Sequence, residues 1–297
     1  MGSSLQVRPA TIEMFSDIRD VLTEFGPGFG EADWRRLFDY DFDASAGDRK
    51  NRGWVLCDGD EIIGFLGAIF SRREGEAFCN VTSWVVKKTH RSSGGLQLLM
   101  PMFALKDHTI LNLSPTPFTR AVFQRMGFRD LEKELVMIPS LYPQRPSRAR
   151  GYRLVEDHET IERLLSGDDL RVFHDHRRYP CTHLVFAGSN DYSYVVAGKT
   201  RLRRVPTSFV YYRSNAWLFR RLAGAMQLAL LRAHRTPFSI VDARLTADAP
   251  LLGCPTYALR QPRLYRPAVT SSRRREDIDT LYSELVLLDP QRWTFNY

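Results

Sequence analysis

Apolar positions along this chain fall into short strand-like runs bounded by turn residues and into stretches with helical spacing, and the second half repeats their order in outline. Val7–Ala10 reads as a strand. Thr11 is suited to cap a helix whose apolar positions are Met14, Phe15, Ile18, Val21, Leu22 and Phe25. Gly26-Pro27-Gly28 ends it, and Glu31–Tyr40 forms a second short helix carrying Trp34, Leu37 and Phe38. Gly53–Cys57 and Glu61–Phe70 flank Asp58-Gly59-Asp60, a strong hairpin signal. After a charged turn at Arg72–Glu76, Ala77–Val86 is a strand that leads through Lys87–Leu96 into an apolar helix, Gln97–Leu105. Thr109–Leu113 follows as a strand, Ser114–Phe128 as a helix, and Leu135–Ile138 as a late strand.

A stretch rich in proline, serine and arginine then reads as a connector at 141–151. Beyond it the order returns in outline. Tyr152–Val155 is strand-like and His158–Leu165 helical; His183–Phe186 and Tyr192–Ala197 flank Gly188-Ser189-Asn190-Asp191. Ser208–Tyr212 is the next strand, Trp217–His234 a long apolar helix, Phe238–Ala243 a strand, and Glu284–Leu288 a late strand. The long helix is explained by core burial, not by a membrane role.

Composition narrows the setting. With 297 residues, 43% hydrophobic and 12% aromatic, the chain suits two packed domains and excludes wholesale disorder. Cys57, Cys79, Cys181 and Cys254 lack Cys-x-x-Cys spacing and read as reduced, mostly buried thiols of a cytoplasmic protein. No signal peptide and no membrane span is read in the sequence. A formal charge of +8 suits an anionic partner. Much of the excess is arginine in the second half, without any fixed-spacing nucleic-acid motif, so a solvated face or small-anion site is favoured over a nucleic-acid surface. His174-Asp175-His176 is taken as loop or pocket polarity. It has no third ligand, and no metal is expected.

The chemistry concentrates in Asn80–Phe128. A strand that turns through Gly94-Gly95 into a helix can offer backbone N–H groups to a pyrophosphate without an intervening side chain. Arg91-Ser92-Ser93-Gly94-Gly95-Leu96 resembles the acyl-CoA loop of the GNAT acyltransferase superfamily, Arg/Gln-x-x-Gly-x-Gly/Ala, with Leu96 in place of the last small residue. Downstream, Phe123-Gln124-Arg125-Met126-Gly127-Phe128 resembles the family's Tyr-x-x-Leu-Gly-Phe ending. The resemblance implies an α/β fold with mixed sheets, as two GNAT-like domains in tandem. Residues 1–140 would bind acyl-CoA, and 152–297 would be a degenerate GNAT-like or other α/β domain. Its turn, Arg213-Ser214-Asn215-Ala216-Trp217, has no glycine.

By the same resemblance acetyl-CoA, or another acyl-CoA, is the cosubstrate. Arg91, Ser92, Ser93, Gly94, Gly95 and Leu96 would hold its pyrophosphate, Val85 or Val86 would polarise the thioester through a backbone N–H, and Ser114 and Thr116 would meet the pantetheine or cap the helix. Phe123 stands where many members place a tyrosine that protonates the leaving thiolate, and it has no proton to give. Ser83, His90, Glu74 and Glu76 lie near enough in sequence to act as base, of which Ser83, His90 and Glu76 are the catalytic candidates. The activity implied is N- or O-acyl transfer to a small molecule or amino-sugar. Two alternatives stay open: a non-catalytic acyl-CoA or partner binder, and an aminoacyl-tRNA-dependent peptidyl transfer protein.

Overall fold

We describe a computed structural model of the chain in which residues 5–25, 28–91, 94–140, 142, 149–202, 204–288 and 294–295 are described. Ser92 and Ser93 lie outside them, as does most of the connector at 141–151.

The first elements follow the hydrophobic pattern. β1 (Leu5–Pro9) leads through a 3-10 turn into α1 (Phe15–Leu22), which buries Phe15, Ile18, Val21 and Leu22, one face at helical spacing. Each such side chain contributes about 1.5–3 kcal/mol. α2 (Glu31–Arg36) is shorter than its pattern predicts. β2 (Gly53–Asp58) and β3 (Glu61–Arg73) form the expected hairpin, and β3 pairs antiparallel with β4 (Glu76–Val86). The charged stretch between them shrinks to Glu74-Gly75, both at positive φ, which is the geometry of a two-residue hairpin turn. α3 (Met100–Ala104), β5 (His108–Asn112), α4 (Pro117–Arg125) and the two-residue β6 (Arg129–Asp130) follow.

Then the chain departs from the expected order. β7 (Glu134–Pro139) is the strand predicted at Leu135–Ile138, yet it pairs with the sheet of the second half. That half comprises β8 (Arg153–Val155), α5 (His158–Leu164), α6 (Gly167–His176), β9 (Thr182–Ala187), β10 (Tyr192–Leu202), β11 (Val205–Arg213), α7 (Ala216–His234), β12 (Phe238–Asp242) and β13 (Thr256–Ala258). β14 (Leu264–Arg266), late in the sequence, pairs antiparallel with β5 of the first sheet. α8 (Glu284–Leu287) is a single helical turn where a strand was expected, and β15 (Thr294–Phe295) pairs with β10.

The two sheets have the same plan. The first runs β1-β2-β3-β4-β5-β14-β6, the second β8-β9-β10-β11-β12-β7-β13, with β15 beside β10. In each, the fourth and fifth strands pair in parallel, and the sixth comes from the other half of the sequence. The chain accordingly separates into two compact units. One runs through Arg129 and adds Arg263–Ser272 and Tyr282–Leu288; the other holds Asp130–Pro262 and Arg273–Leu281. Each has its own core. The first gathers Trp54, Leu66, Phe70, Leu98, Met102 and Phe128; the second packs α7 through Phe219, Leu222, Met226 and Leu230 against its sheet.

Even a local irregularity is duplicated. Phe65 faces Val85 while Gly67 faces Thr82, so β4 carries an extra residue at Ser83–Trp84. Val196 faces Tyr212 while Ala197 faces Val210, so β11 carries one at Tyr211. Such a bulge bends the strand and frees a backbone group from the ladder.

Candidate functional site

In the first unit, parallel pairing of β4 with β5 runs only from Ala77 opposite His108 to Asn80 opposite Leu111. Past Asn80 the strands part. The bulge follows at once, with Ser83 at φ 53°, an uncommon conformation for a residue with a side chain. Lys87 then leaves the sheet, its N–H donating to Ile63 O at 2.8 Å, and a 3-10 turn at Lys88–His90 leads toward the glycines. Gly94 sits at φ 78°, and its carbonyl accepts from Gln97 N at 2.8 Å. The apolar segment expected as one helix opens as a 3-10 turn, Gln97–Leu99, because Pro101 lies at the start of the α-helical part.

These pieces enclose a cavity of about 940 Å³ lined by Trp84, Val86, Arg91, Gly94, Gly95, Leu96, Gln97, Thr116, Phe118, Thr119 and Val122. Its size suits a cofactor. Trp84 forms a wall: its indole Nε1–H donates to Gly95 O at 3.1 Å, and its ring stacks on Phe118 at 6.2 Å. Arg91 donates from Nη2 to Glu24 Oε2 at 3.4 Å and from Nε to Val86 O at 3.4 Å. The Glu24 contact is exposed, and such a pair is weak enough for a bound phosphate to displace. Thr116 caps α4 by accepting from Thr119 N at 3.2 Å.

A second polar group lies where β4 and β5 separate. Ser114, just past the end of β5, donates to Glu284 Oε1 at 2.6 Å, and Asn80 Nδ2 donates to Glu284 Oε2. Glu284 is fully buried, and that burial pushes its carboxyl upward; the two hydrogen bonds and nearby Arg263 oppose the shift without cancelling it.

No protein-family model and no curated protein matches the chain. Among solved structures it is similar to a GCN5-related N-acetyltransferase from Kribbella flavida, at 15% identity and TM-score 0.58, over 89% of this chain and 71% of that one. It is similar to a GCN5-related N-acetyltransferase from Anabaena variabilis, at 12% and 0.54, over 88% and 72%. It is also similar to a tandem GNAT protein from the clavulanic acid biosynthesis pathway, at 16% and 0.51, over 91% of this chain and 100% of that one. This is a tandem GNAT-like fold.

Within the GNAT-like fold, several residues expected at a site come together and others do not. Val86, Arg91, Gly94, Gly95, Leu96 and Thr116 all line the cavity. Val85 is buried beside it in β4, and Ser83 occupies the bulge, its Oγ 3.2 Å from Thr82 Oγ1. Ser114 faces Glu284 and is not among the lining residues. Phe123 is not among the lining residues either and lies in the core, 1% exposed and edge-on to Phe128 at 4.8 Å. Glu76 does not join the site either. It begins β4, ten residues before Val86 and therefore roughly 30 Å away along the strand, and accepts from Ser271 Oγ at 2.8 Å. His90 lies outside the cavity lining, its Nδ1 2.8 Å from Thr89 Oγ1.

His174 and His176 lie on α6, not on a strand or loop, so their spacing turns them apart. His174 bonds Glu162 at 2.7 Å and buried His176 bonds Val172 O at 2.8 Å. Among the described residues no group of three or more His, Cys, Asp or Glu could hold a metal. No helix among them is long and apolar enough to cross a membrane. Sequence reasoning missed Trp84, Gln97, Phe118, Thr119 and Val122 on the cavity wall. The helical spacing of the last three with Thr116 was the available signal.

Proposed function

We propose that the first unit binds an acyl-CoA in the cavity beside Gly94-Gly95 and transfers its acyl group to a small-molecule amine or hydroxyl. One observation carries the reading. The cavity lies where the parted strand β4, the glycine turn and the start of α4 converge in a GNAT-like fold. Arg91 and the main chain around Gly94 meet the pyrophosphate, and the strip of Trp84, Val86 and Val122 receives the pantetheine arm. The N–H freed at the bulge near Val85 polarises the thioester carbonyl. All four cysteines are free, which is consistent with the reducing interior of a cell. The second unit takes no acyl-CoA in this proposal.

Calorimetry with CoA, acetyl-CoA and longer acyl-CoAs tests it. Binding that weakens on the order of 30-fold in Arg91→Glu, through loss of one charge-assisted contact and gain of a repulsion, is the expected result. No binding by any of them overturns it. The core burial of Phe123 favours a second reading, a binder without turnover. Binding without loss of the thioester, in the presence of amines and alcohols, would select that one.

A further inference from the structure

From Tyr192 to Val241 the chain has nine arginine and lysine residues and no aspartate or glutamate. Three of the nine are engaged within the fold: Arg213 donates to Leu245 O at 2.9 Å, Arg220 lies over Trp217 and Arg221 over Tyr152. The side chains of Lys199, Arg201, Arg204, Arg232 and Arg235 make no hydrogen bond or ion pair among the described residues, and Arg203 lies outside them. Topology gathers these five at one end of the second unit. Lys199 faces Ser208 and Arg201 faces Pro206, on the β10 face through which Val195 and Ala197 join the core under α7. Arg204 stands in the turn between β10 and β11. α7 ends at the same place, since His234 Nδ1 lies 2.8 Å from Ser208 Oγ, and Arg232 and Arg235 flank that histidine. Arg235 closes the helix at φ 55°, where glycine would be unstrained.

Like charges gathered without a carboxylate repel one another, so the cluster is suited to an anion outside the fold. Two aliphatic side chains accompany it. Val205, beside Arg204, is 43% exposed, and Leu228, one helical turn before Arg232, is 41% exposed. We propose that this end of the second unit docks on an anionic lipid surface, its five cations on the headgroups and Val205 and Leu228 at the boundary with the acyl chains. The proposal goes beyond the acyl-CoA reading and does not depend on it. A hairpin tip and a helix end that carry both cations and aliphatic groups suit a flat surface, charged outside and apolar beneath. A nucleic acid would call for an aromatic platform beside the cations. The exposed aromatic of α7, Trp217, lies at the helix's other end, roughly 22 Å from Arg232. α7 keeps Phe219, Leu222, Met226 and Leu230 in the core, so the helix itself does not enter the bilayer.

The test sediments the full chain with vesicles of phosphatidylcholine alone and with vesicles in which phosphatidylserine makes up about a third of the lipid. Binding should need the phosphatidylserine and weaken steeply from low to high salt. Arg201→Gln with Arg204→Gln should weaken it roughly 25-fold, at about fivefold per charge. Arg125→Gln with Arg129→Gln, the same loss of charge in the first unit, should weaken it less than about threefold, because screening confines the attraction to the docking face. Val205→Ser should weaken vesicle binding about threefold and leave binding of a mixed-sequence single-stranded RNA unchanged. Melting temperatures should stay at the wild-type value, since all five substituted positions are exposed. The proposal is overturned if phosphatidylserine vesicles bring down no protein at low salt, if phosphatidylcholine alone binds as well, or if the first-unit pair weakens binding as much as the second-unit pair. It is also overturned if the RNA binds more tightly than the vesicles and Val205→Ser leaves vesicle binding unchanged, which would assign the face to a nucleic acid.

Discussion

The two units reach the same point in their sheets and leave it differently. In the first, β4 bulges, and the chain takes the long route Lys87–Leu96, through a glycine at φ 78°, before helical turns resume without a side-chain cap. In the second, β11 bulges at Tyr211 and the chain steps almost directly into the 19-residue α7. There Asn215 Oδ1 accepts from Leu218 N at 3.0 Å, so the helix start is closed by its own side chain. A long glycine turn leaves a space for a ligand, and a short capped turn leaves a continuous core. On the proposed reading the same fold serves binding in one copy and packing in the other, and the difference is confined to about ten residues.

The units part furthest in their response to pH. In the second, burial depresses His183 to about 3, helped by neighbouring His176 and His158, and burial with nearby Lys199 depresses His234 to about 4. His234 lies between Thr182 Oγ1 at 2.7 Å and Ser208 Oγ at 2.8 Å, and His183 bonds the Tyr194 hydroxyl at 2.7 Å. A histidine depressed by folding contributes stability that is complete above its unfolded value near 6.5 and fades as pH falls toward the folded one. At pH 5 each should have lost about 2 kcal/mol. His108 in the first unit has the opposite sign. Burial alone would lower it, but hydrogen bonds with Asp48 at 2.9 Å and Asp107 at 2.8 Å hold it raised. Its contribution is full below about 6.5 and is lost as pH rises through the folded value. Hydrogen exchange read by peptide at pH 7 and pH 5, corrected for intrinsic rates, should show β9, β10 and β11 loosening on acidification while β5 holds. Loosening of β5 first would break the contrast.

Next in size is Gly94→Val. A Cβ there would meet Leu56 Cδ2 at 2.8 Å and Leu5 Cδ1 at 2.9 Å, on a backbone at positive φ that a branched residue resists. We expect acetyl-CoA affinity to fall on the order of 100-fold and stability to fall by about 1–3 kcal/mol. Adding Ser214→Gly to that variant should restore nothing, since glycine alone does not lengthen the second turn. Undiminished binding by Gly94→Val in calorimetry would show that the ligand does not use this turn.

How far the sequence reveals this depends on the distance over which each feature is encoded. The glycine turn and the α4 approach are local signals, set by residues within a few positions of one another, and Arg91, Gly94, Gly95 and Thr116 were readable for that reason. The repeated strand order was readable from short apolar runs beside turn residues, such as Tyr192–Ala197 after Gly188-Ser189-Asn190-Asp191. The exchange of β7 and β14 was not, because a strand's pattern shows that one face is buried without naming the strand it pairs with. Glu284 was hidden more deeply. It meets Ser114 across 170 residues of sequence and lies in a stretch, Glu284–Leu288, that is too short for its rhythm to distinguish strand from helix. Phe123 shows the converse, since a motif position reports a place in the fold and not the side chain's surroundings.

The smallest effect lies on the packing side of the comparison. Asn215→Ala removes the acceptor for Leu218 N and should lower stability by about 1 kcal/mol, a fall of roughly 2–4 °C in melting temperature for a chain of this size. Asn215→Gly should lose only a few tenths, because glycine tolerates the cap geometry and leaves the N–H open to water. Neither should change acetyl-CoA affinity, because the cap lies in the second unit and the cavity in the first. That independence is what makes so small a change informative. If α7 begins where it does only because its core face is strong, with Phe219, Leu222, Met226 and Leu230 buried, then Ala and Gly at 215 should melt alike. If the capped start is what replaces a ligand at this turn, Ala should melt below Gly by about the value of one cap.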